Sequence, residues 1–318
     1  MTKKALILAG GGGHTGYGYA LAQELAGMAS LSFLVPKGDA LSHKRLSKFG
    51  PVGFLIKSRG ARTPTSEFIP NLAMAFLHSY GHISREYDIV VSTGSNFCVP
   101  PAFFAWMKGI PLVNIESPVR FTQPSKSARL LHSFSAVTAI HWDEQQRLFP
   151  DGVVVGPILP KPEITVENKG YILVAGGTYG HKLLFDAVAD SPLRNVVLQT
   201  GKINPTPYAG KHPEWNIVTL TERFDELLAG ADVVVTHFGV TVLEAVVYGK
   251  PVVLVPNPEW TRTAGIEDAK HLAQKLNAVL VSEITTNTVL NAIDEARERT
   301  VPTLLDGAKN LANMVLKL

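Results

Sequence analysis

The chain has 318 residues, 46% hydrophobic and 18% charged, which suits two domains with packed cores and argues against disorder. Its one cysteine, Cys98, excludes a disulfide framework and cysteine-rich zinc sites and fits a reducing compartment. The formal charge of +3 is uneven: residues 1–157 carry 15 Lys+Arg against 9 Asp+Glu, and the remainder 15 against 18. The surplus gathers in Lys37, Lys44, Arg45, Lys48, Lys57, Arg59 and Arg62. Such a cluster suits an anionic membrane surface, a phosphorylated substrate or simple solvation. Basic residues are not interleaved with aromatic ones for base stacking, so nucleic acid is not indicated.

In chain order, Met1–Ala9 runs too soon into glycines to read as a signal peptide. Its apolar part, Leu6-Ile7-Leu8-Ala9, predicts a strand that breaks at Gly10-Gly11-Gly12-Gly13-His14-Thr15-Gly16 and continues into a helix over 16–26. A strand is expected at 31–35. The apolar helix predicted over 68–82 has Phe68, Leu72, Phe76 and Tyr80 near one face; it reads first as core packing, with an edge dipping into a membrane interface as the alternative. Strands follow at 88–92, 111–115 and 136–139. The apolar stretch 97–115 contains Pro100, Pro101, Lys108 and Pro111, and reads as a buried helix and strand rather than a membrane span. His78 and His82 stand at helical spacing without a third ligand, so no metal site is expected. The proline-rich 153–162 predicts a linker, giving domains over 1–157 and 158–302 and a C-terminal helix over 303–318.

The second half restarts with a strand at 171–175 and a second glycine turn, Gly176-Gly177-Thr178-Tyr179-Gly180-His181. More strands are expected at 195–199, 216–220, 233–236, 251–255 and 278–281. Strand–helix alternation in both halves predicts an α/β chain of two Rossmann-like domains facing a central cleft. In 231–251 a buried strand ends at Thr236, a turn holds His237, Phe238 and Gly239, and a helix starts near Thr241. The open N–H groups of such a helix suit a diphosphate, and Glu244, one turn in, is placed to accept from ribose hydroxyls.

This segment resembles the nucleotide-sugar motif of MurG-type glycosyltransferases of the GT-B fold. Gly176-Gly177-Thr178 is similar to the phosphate-side turn of their donor domain, and residues 222–227, around Phe224, to the loop whose backbone reads uracil. In the first half, Gly11-Gly12-Gly13-His14-Thr15 resembles the acceptor-domain glycine loop. Ser92-Thr93-Gly94-Ser95 and Asn114-Ile115-Glu116-Ser117 resemble its two later loops. Glu116-Ser117 with Arg120 is similar to the membrane subunit of the eukaryotic two-subunit transferase that adds the second N-acetylglucosamine to dolichyl-diphosphate-linked N-acetylglucosamine. The second half is similar to the soluble partner, so the chain reads as both fused without the anchor. One departure stands out: Thr263-Ala264-Gly265 replaces the Asn-His-Gln of relatives, while Glu267 keeps the following acid. Phe238 also stands where relatives often have a small residue.

The resemblance implies a donor site of Gly177, Thr178, Phe224, His237, Gly239, Val240, Thr241, Glu244, Asn257 and Glu267. The implied acceptor site is Gly12, Gly13, Thr15, Thr93, Gly94, Ser95 and Arg120. His14 is the candidate general base, with Glu116 as an alternative base or as the group orienting His14. His181 and His237 flank the donor turns and are either phosphate contacts or structural. The expected activity is inverting transfer of a sugar, N-acetylglucosamine first, from a UDP-sugar to a polyprenyl- or dolichyl-diphosphate-linked sugar in lipid-linked oligosaccharide assembly for N-glycosylation. No Asp-x-Asp pair appears, so metal-independent chemistry is expected, with no cofactor besides the UDP-sugar. The expected location is cytoplasmic and peripheral on the membrane, against an anionic surface or with a membrane partner protein. The alternatives are a UDP-sugar 2-epimerase-like enzyme, a transferase with another UDP-sugar or lipid acceptor, and a binding subunit that depends on a partner. A dehydrogenase is weaker, because neither turn gives G-x-G-x-x-G with an acid about 20 residues on. Asp39 is the nearest such acid.

Overall fold

The computed structural model describes residues 2–60, 64–259 and 264–318. It divides into two compact units, Met1–Pro160 with Leu305–Leu318, and Lys161–Leu304. The first unit runs β1 (Lys3–Leu8), α1 (Gly13–Leu25), β2 (Ala29–Pro36), α2 (Ala40–Leu46), β3 (Val52–Leu55), α3 (Thr65–Tyr80), β4 (Ile89–Ser92), α4 (Val99–Met107), β5 (Leu112–Ile115), α5 (Lys126–His132), β6 (Val137–Ile140) and β7 (Val153–Val154). The second runs β8 (Tyr171–Ala175), α6 (Lys182–Ala189), β9 (Val196–Gln199), α7 (Thr206–Lys211), β10 (Asn216–Val218), α8 (Phe224–Gly230), β11 (Ala231–Thr236), α9 (Val240–Val247), β12 (Val252–Leu254), α10 (Ile266–Leu276), β13 (Val279–Leu280) and α11 (Thr286–Arg297). The last helix, α12 (Gly307–Lys317), belongs to the first unit.

Each unit is built on one parallel sheet, in the order β3-β2-β1-β4-β5-β6-β7 and β10-β9-β8-β11-β12-β13. Parallel strands covered on both faces read as unbroken apolar runs, which is why the central strands are evident in the sequence. In β1, Leu6 and Leu8 join a core with Phe97, Ala102 and Leu112. Ile7 points the other way, onto α1, where a Cβ on Gly18 would come within 3.3 Å of it. Glycine at 18 therefore lets the helix lie close on the strand.

Three features differ from the sequence expectation. Strand β3 was not anticipated; Gly53 interrupts its apolar run, and only Leu55 of its four residues is buried. The helix expected to pack in the core does so by part of one face. In α3, Ala75 and Ser79 are buried, Phe76 meets the rings of Phe103 and Phe104 on α4 and Tyr80 that of Phe104, while Ile69 and Leu77 are each 72% exposed and Tyr80 63%. Apolar periodicity marks a sticky face without saying what covers it. The stretch expected as a linker contains the crossing between the units, at Pro160–Lys161, but its first part is packed: β7 pairs with β6, and Val155, Ile158 and Leu159 are buried. That packing continues into α12, where Gly307 N–H donates to Pro157 O at 3.2 Å and Asn310 Nδ2 to Val155 O at 2.8 Å. Lys3 Nζ donates to the carbonyls of Val315 and Leu316, and α12 lies against α1.

Candidate active site

In a parallel sheet, ligands bind beyond the carboxyl ends of the strands where the strand order reverses. The reversal in the first unit falls between β1 and β4, and in the second between β8 and β11. The turns after these four strands carry Gly10–His14, Thr93–Ser95, Gly176–His181 and His237–Gly239. The topology thus brings the sequence-predicted glycine turns to the switch point of each sheet.

In the first unit, Gly11 and Gly12 adopt left-handed φ values of 84° and 58°, and Gly12 caps α1 without a side-chain hydrogen bond. The N–H groups at this helix start are therefore left for a ligand. The turn is fixed from three sides. Thr93 Oγ1 donates to Leu8 O at 2.8 Å and accepts from Gly10 N–H at 3.3 Å. Lys57 Nζ donates to Gly10 O at 2.9 Å. A Cβ on Gly10 would fall 2.2 Å from Ser95 Oγ, and Ser95 itself holds φ 71°, a conformation L-residues keep only when the surroundings enforce it. Thr15 is buried and shares a 2.7 Å hydrogen bond with Ser42, whose hydroxyl donates to Asp39, the N-cap of α2. Asp39 is therefore a structural cap.

His14 lies half-buried on this turn, with Nδ1 2.7 Å from Thr93 O. A carbonyl only accepts, so Nδ1 carries the proton and Nε2 is the basic nitrogen. Burial lowers the pKa of His14 below the usual value, the bond to Thr93 opposes this, and the charge of Lys57 lowers it further. Gly94, at φ 88°, passes so close that a Cβ would meet the ring at 3.3 Å.

Glu116 is fully buried, and both carboxylate oxygens are engaged: Ser117 N–H donates to one at 2.6 Å and Ser125 N–H to the other at 2.8 Å. Burial raises its pKa, while those bonds and half-buried Arg120 lower it. Its carboxylate organises the 116–125 loop, and the group on His14 Nδ1 is Thr93 O. Two residues not singled out by sequence complete this loop. Gln145 accepts from His141 N–H and Trp142 N–H through Oε1 and donates to Ser117 O and Arg120 O at 2.8 Å each. His141 Nε2 donates to Glu116 O at 2.8 Å, and its Nδ1 accepts from Ile158 N–H at 3.3 Å. Burial lowers the His141 pKa to about 4, so the ring is neutral.

In the second unit, Gly177 (φ 63°) and Gly239, the N-cap of α9, both lie against His237; a Cβ on either would come within 3.2 Å of its ring. This histidine is buried and held at about 4 by burial and by His181. His181, fully buried, accepts Leu184 N–H on Nδ1 and caps α6; burial lowers it to about 4 as well. Both rings are neutral wedges between turns. Gly239 offers no side-chain cap, so the start of α9, with Val240 and Thr241, presents N–H groups, and Glu244 lies half-buried one turn in. Thr178 is exposed at the tip of the first turn, its carbonyl accepting from Lys202 N–H at 3.1 Å. Gln199 Nε2 donates to Gly177 O at 3.2 Å and to Thr219 O at 2.9 Å. Phe224 opens α8 beyond β10, half-buried. Asn257 Oδ1 accepts from Glu259 N–H. Glu267 is exposed and paired with Lys270 at 2.7 Å, while neighbouring Asp268 caps α10 through Gly265 N–H. Thr263 lies outside the described residues.

Members of the basic cluster have different partners, with Arg45 and Lys48 sharing the Tyr19 ring. Lys57 serves the glycine turn, Arg45 lies 4.5 Å from the Tyr19 ring centre, Arg59 lies 5.4 Å from that of Phe68, and Arg62 is outside the described residues. Among the described residues no group of three or more His, Cys, Asp or Glu is placed to hold a metal ion. None of their helices is long and apolar enough to cross a membrane.

Residues 5–158 match the family model for oligosaccharide biosynthesis protein Alg14 like, and residues 171–305 that for the glycosyltransferase family 28 C-terminal domain. The UDP-N-acetylglucosamine--N-acetylmuramyl-(pentapeptide) pyrophosphoryl-undecaprenol N-acetylglucosamine transferase of Flavobacterium psychrophilum is 23% identical over 352 residues, covering 99% of this chain and 95% of its own. MurG of Acinetobacter baumannii aligns with a TM-score of 0.67 at 18% identity over 100% of both chains. The UDP-GlcNAc 2-epimerase of Neisseria meningitidis aligns at 0.66 and 13% identity, over 99% of this chain and 98% of its own. The fold is GT-B.

Proposed function

We propose that this glycosyltransferase of the GT-B fold, Alg14-like in its first half and family 28 in its second, moves N-acetylglucosamine from UDP-N-acetylglucosamine to a sugar on a polyprenyl or dolichyl diphosphate, inverting the anomeric carbon. The observation that carries the reading is the His14 geometry. Thr93 O holds the Nδ1 proton and a lowered pKa keeps Nε2 unprotonated near neutral pH, as a general base requires. The acceptor hydroxyl attacks the anomeric carbon as Nε2 takes its proton, and the bond to UDP breaks with its electron pair leaving on the diphosphate. The uncapped N–H groups at the start of α9 stabilise that charge, so neither a metal nor a cofactor beyond the donor is invoked. The corresponding groups at the start of α1, with Gly12 and Gly13, receive the acceptor diphosphate, and Arg120 is assigned to the same phosphate. Ribose hydroxyls fall to Glu244, and the backbone before Phe224 reads the base.

The pathway is lipid-linked oligosaccharide assembly, as for N-glycosylation, with one chain doing the work of two subunits; the Alg14-like model supports this acceptor class. Peripheral attachment to a membrane is supported by the exposed apolar side chains Ile69, Leu77 and Tyr80 on α3 and Trp106 and Met107 on α4, with Lys108 beside Tyr80.

The test is transfer from a panel of UDP-sugars to polyprenyl-diphosphate-N-acetylglucosamine with EDTA present, read by the mass of the lipid. A gain of one N-acetylhexosamine from UDP-N-acetylglucosamine is expected. A gain only from another sugar overturns the sugar assignment. UDP binding without any lipid product overturns the acceptor.

A further inference from the structure

Strand β9 lies between β8 and β10, so its last residue, Gln199, stands between the turns that follow both neighbours. One side is the Gly176–His181 turn, and the other is Thr219–Arg223, which leads into α8. The Gln199 side chain is buried and makes one bond to each: Nε2 donates to Gly177 O at 3.2 Å and to Thr219 O at 2.9 Å. Both acceptors are carbonyls, so only the amide nitrogen fits there, and a carboxylate in its place has nothing to donate. The following residues add single bonds, one to the end of β10 and one to the first turn. Thr200 N–H donates to Val218 O at 2.9 Å, and Lys202 N–H to Thr178 O at 3.1 Å. Gly201, at φ 62°, passes so close to Gly177 O that a Cβ would fall 2.2 Å from it. Meanwhile Gln199 Oε1 is buried without a hydrogen-bond partner among the described residues. An apolar side chain of similar size would fill this position without that penalty, so packing alone does not account for the amide.

We propose that Gln199 is a positioning residue for the donor, spacing the phosphate turn at Gly177 against the nucleobase loop at Thr219. A nucleoside diphosphate has its base and its diphosphate at a separation set by one ribose. Two turns that drift independently hold each end less often at once, and a ligand that spans both loses affinity. Gln199 touches no ligand in this role. It acts through the two carbonyls it fixes. The inference rests on the donor reading given above.

Two measurements on the whole chain test it: calorimetric titration with UDP, and hydrogen exchange without ligand. Gln199→Leu is expected to weaken UDP binding about tenfold, the scale of a lost buried hydrogen-bond pair, and to raise exchange at 176–180 and 219–223 but not in the core strands β8 and β11. Unchanged UDP affinity overturns the proposal. So does exchange that rises evenly through the second unit, which is the mark of a merely structural residue. Should Gln199→Leu fail to fold, Gln199→Asn, whose amide falls one methylene short of spanning both carbonyls, is read by the same two criteria. Wild-type protein that binds no UDP overturns the donor reading itself, which separates the two failures.

Discussion

The ring of His237 lies against the backbone of Gly177, so close that a Cβ at 177 would sit 3.2 Å from both Cε1 and Nε2. Gly177 also holds φ 63°, where L side chains are strained by roughly 1–2 kcal/mol. Gly177→Ala therefore displaces both the turn and the ring. The expected result is UDP binding weakened by about tenfold or more with a modest fall in melting temperature. Titration calorimetry beside a thermal melt separates the two effects; equal UDP affinity removes this turn from the donor site.

His14 gives a pH prediction with a definite sign. A base must be unprotonated, and burial and Lys57 lower its pKa. The acid limb of kcat/KM therefore lies below the ordinary histidine range, and activity is flat above it through neutrality. Removing the nearby charge in Lys57→Met moves that limb toward higher pH, whereas His14→Ala loses about 100-fold or more in kcat with UDP affinity retained. A pH–rate series on the three proteins checks both statements. Near-normal turnover in His14→Ala eliminates this residue as the base.

The buried histidines also link stability to pH. His141 is held at about 4, below its unfolded value, so the unfolded chain binds the extra proton first as pH falls. Stability is full above about pH 6.5 and declines between about 6.5 and 4, by at most about 1.4 kcal/mol per pH unit for each such ring. His181 and His237 act in the same direction. Urea unfolding at pH 7 and pH 5 reads this slope; a midpoint indifferent to pH across that range contradicts the neutral assignment.

Gln145 uses both ends of its amide to hold the 116–125 loop. Gln145→Leu leaves Ser117 O and Arg120 O without this donor and is expected to cost about 2–3 kcal/mol. Surviving protein is expected to show a higher KM for the lipid acceptor and an unchanged KM for the UDP-sugar, measurable by varying one substrate at a time.

The exposed side chains of α3 and α4 give a partitioning prediction. Leu77→Asp with Trp106→Asp removes apolar contact and is expected to shift the protein from vesicles to the supernatant, with no loss of UDP binding. Lys44 and Arg45 on α2, with Lys48 in the turn after it, are the contrast: their charge reversal is expected to matter less than the paired apolar change. Sedimentation with liposomes of mixed charge decides between them, and retention of the Leu77/Trp106 variant rules out this face.

The legible parts of the molecule were those with local signatures. β1, β4, β8 and β11 are buried on both faces, so their apolar runs and terminal glycines mark the switch points directly. The placement of His14 on the first glycine turn was legible because a polar ring follows the glycines. Gln145 and Gln199 were not, because the NH2 of each amide donates to carbonyls more than 19 residues away in sequence, and a carbonyl has no residue identity. The only available cue at Gln199 is a polar residue ending an apolar run before Thr200-Gly201. The extent to which α3 packs was not legible, because amphipathic spacing specifies a side, not its neighbour. Glu116 was read as a base or as the group orienting His14, and both of its oxygens accept backbone N–H groups.

The return of the chain into its first unit has a consequence for how the polypeptide can be divided. Leu305 sits against Gly156, four residues before the end of the first segment, and the block 161–304 is an insertion between two parts of one compact unit. A gene broken at the junction between the two sheets would yield a first product missing α12, with the surface of α1 laid bare and Lys3 deprived of its carbonyl partners. To be stable as a separate polypeptide, the first half must either take its last fourteen residues, 305–318, along by a short bridge or find a replacement helix to lie where α12 lies.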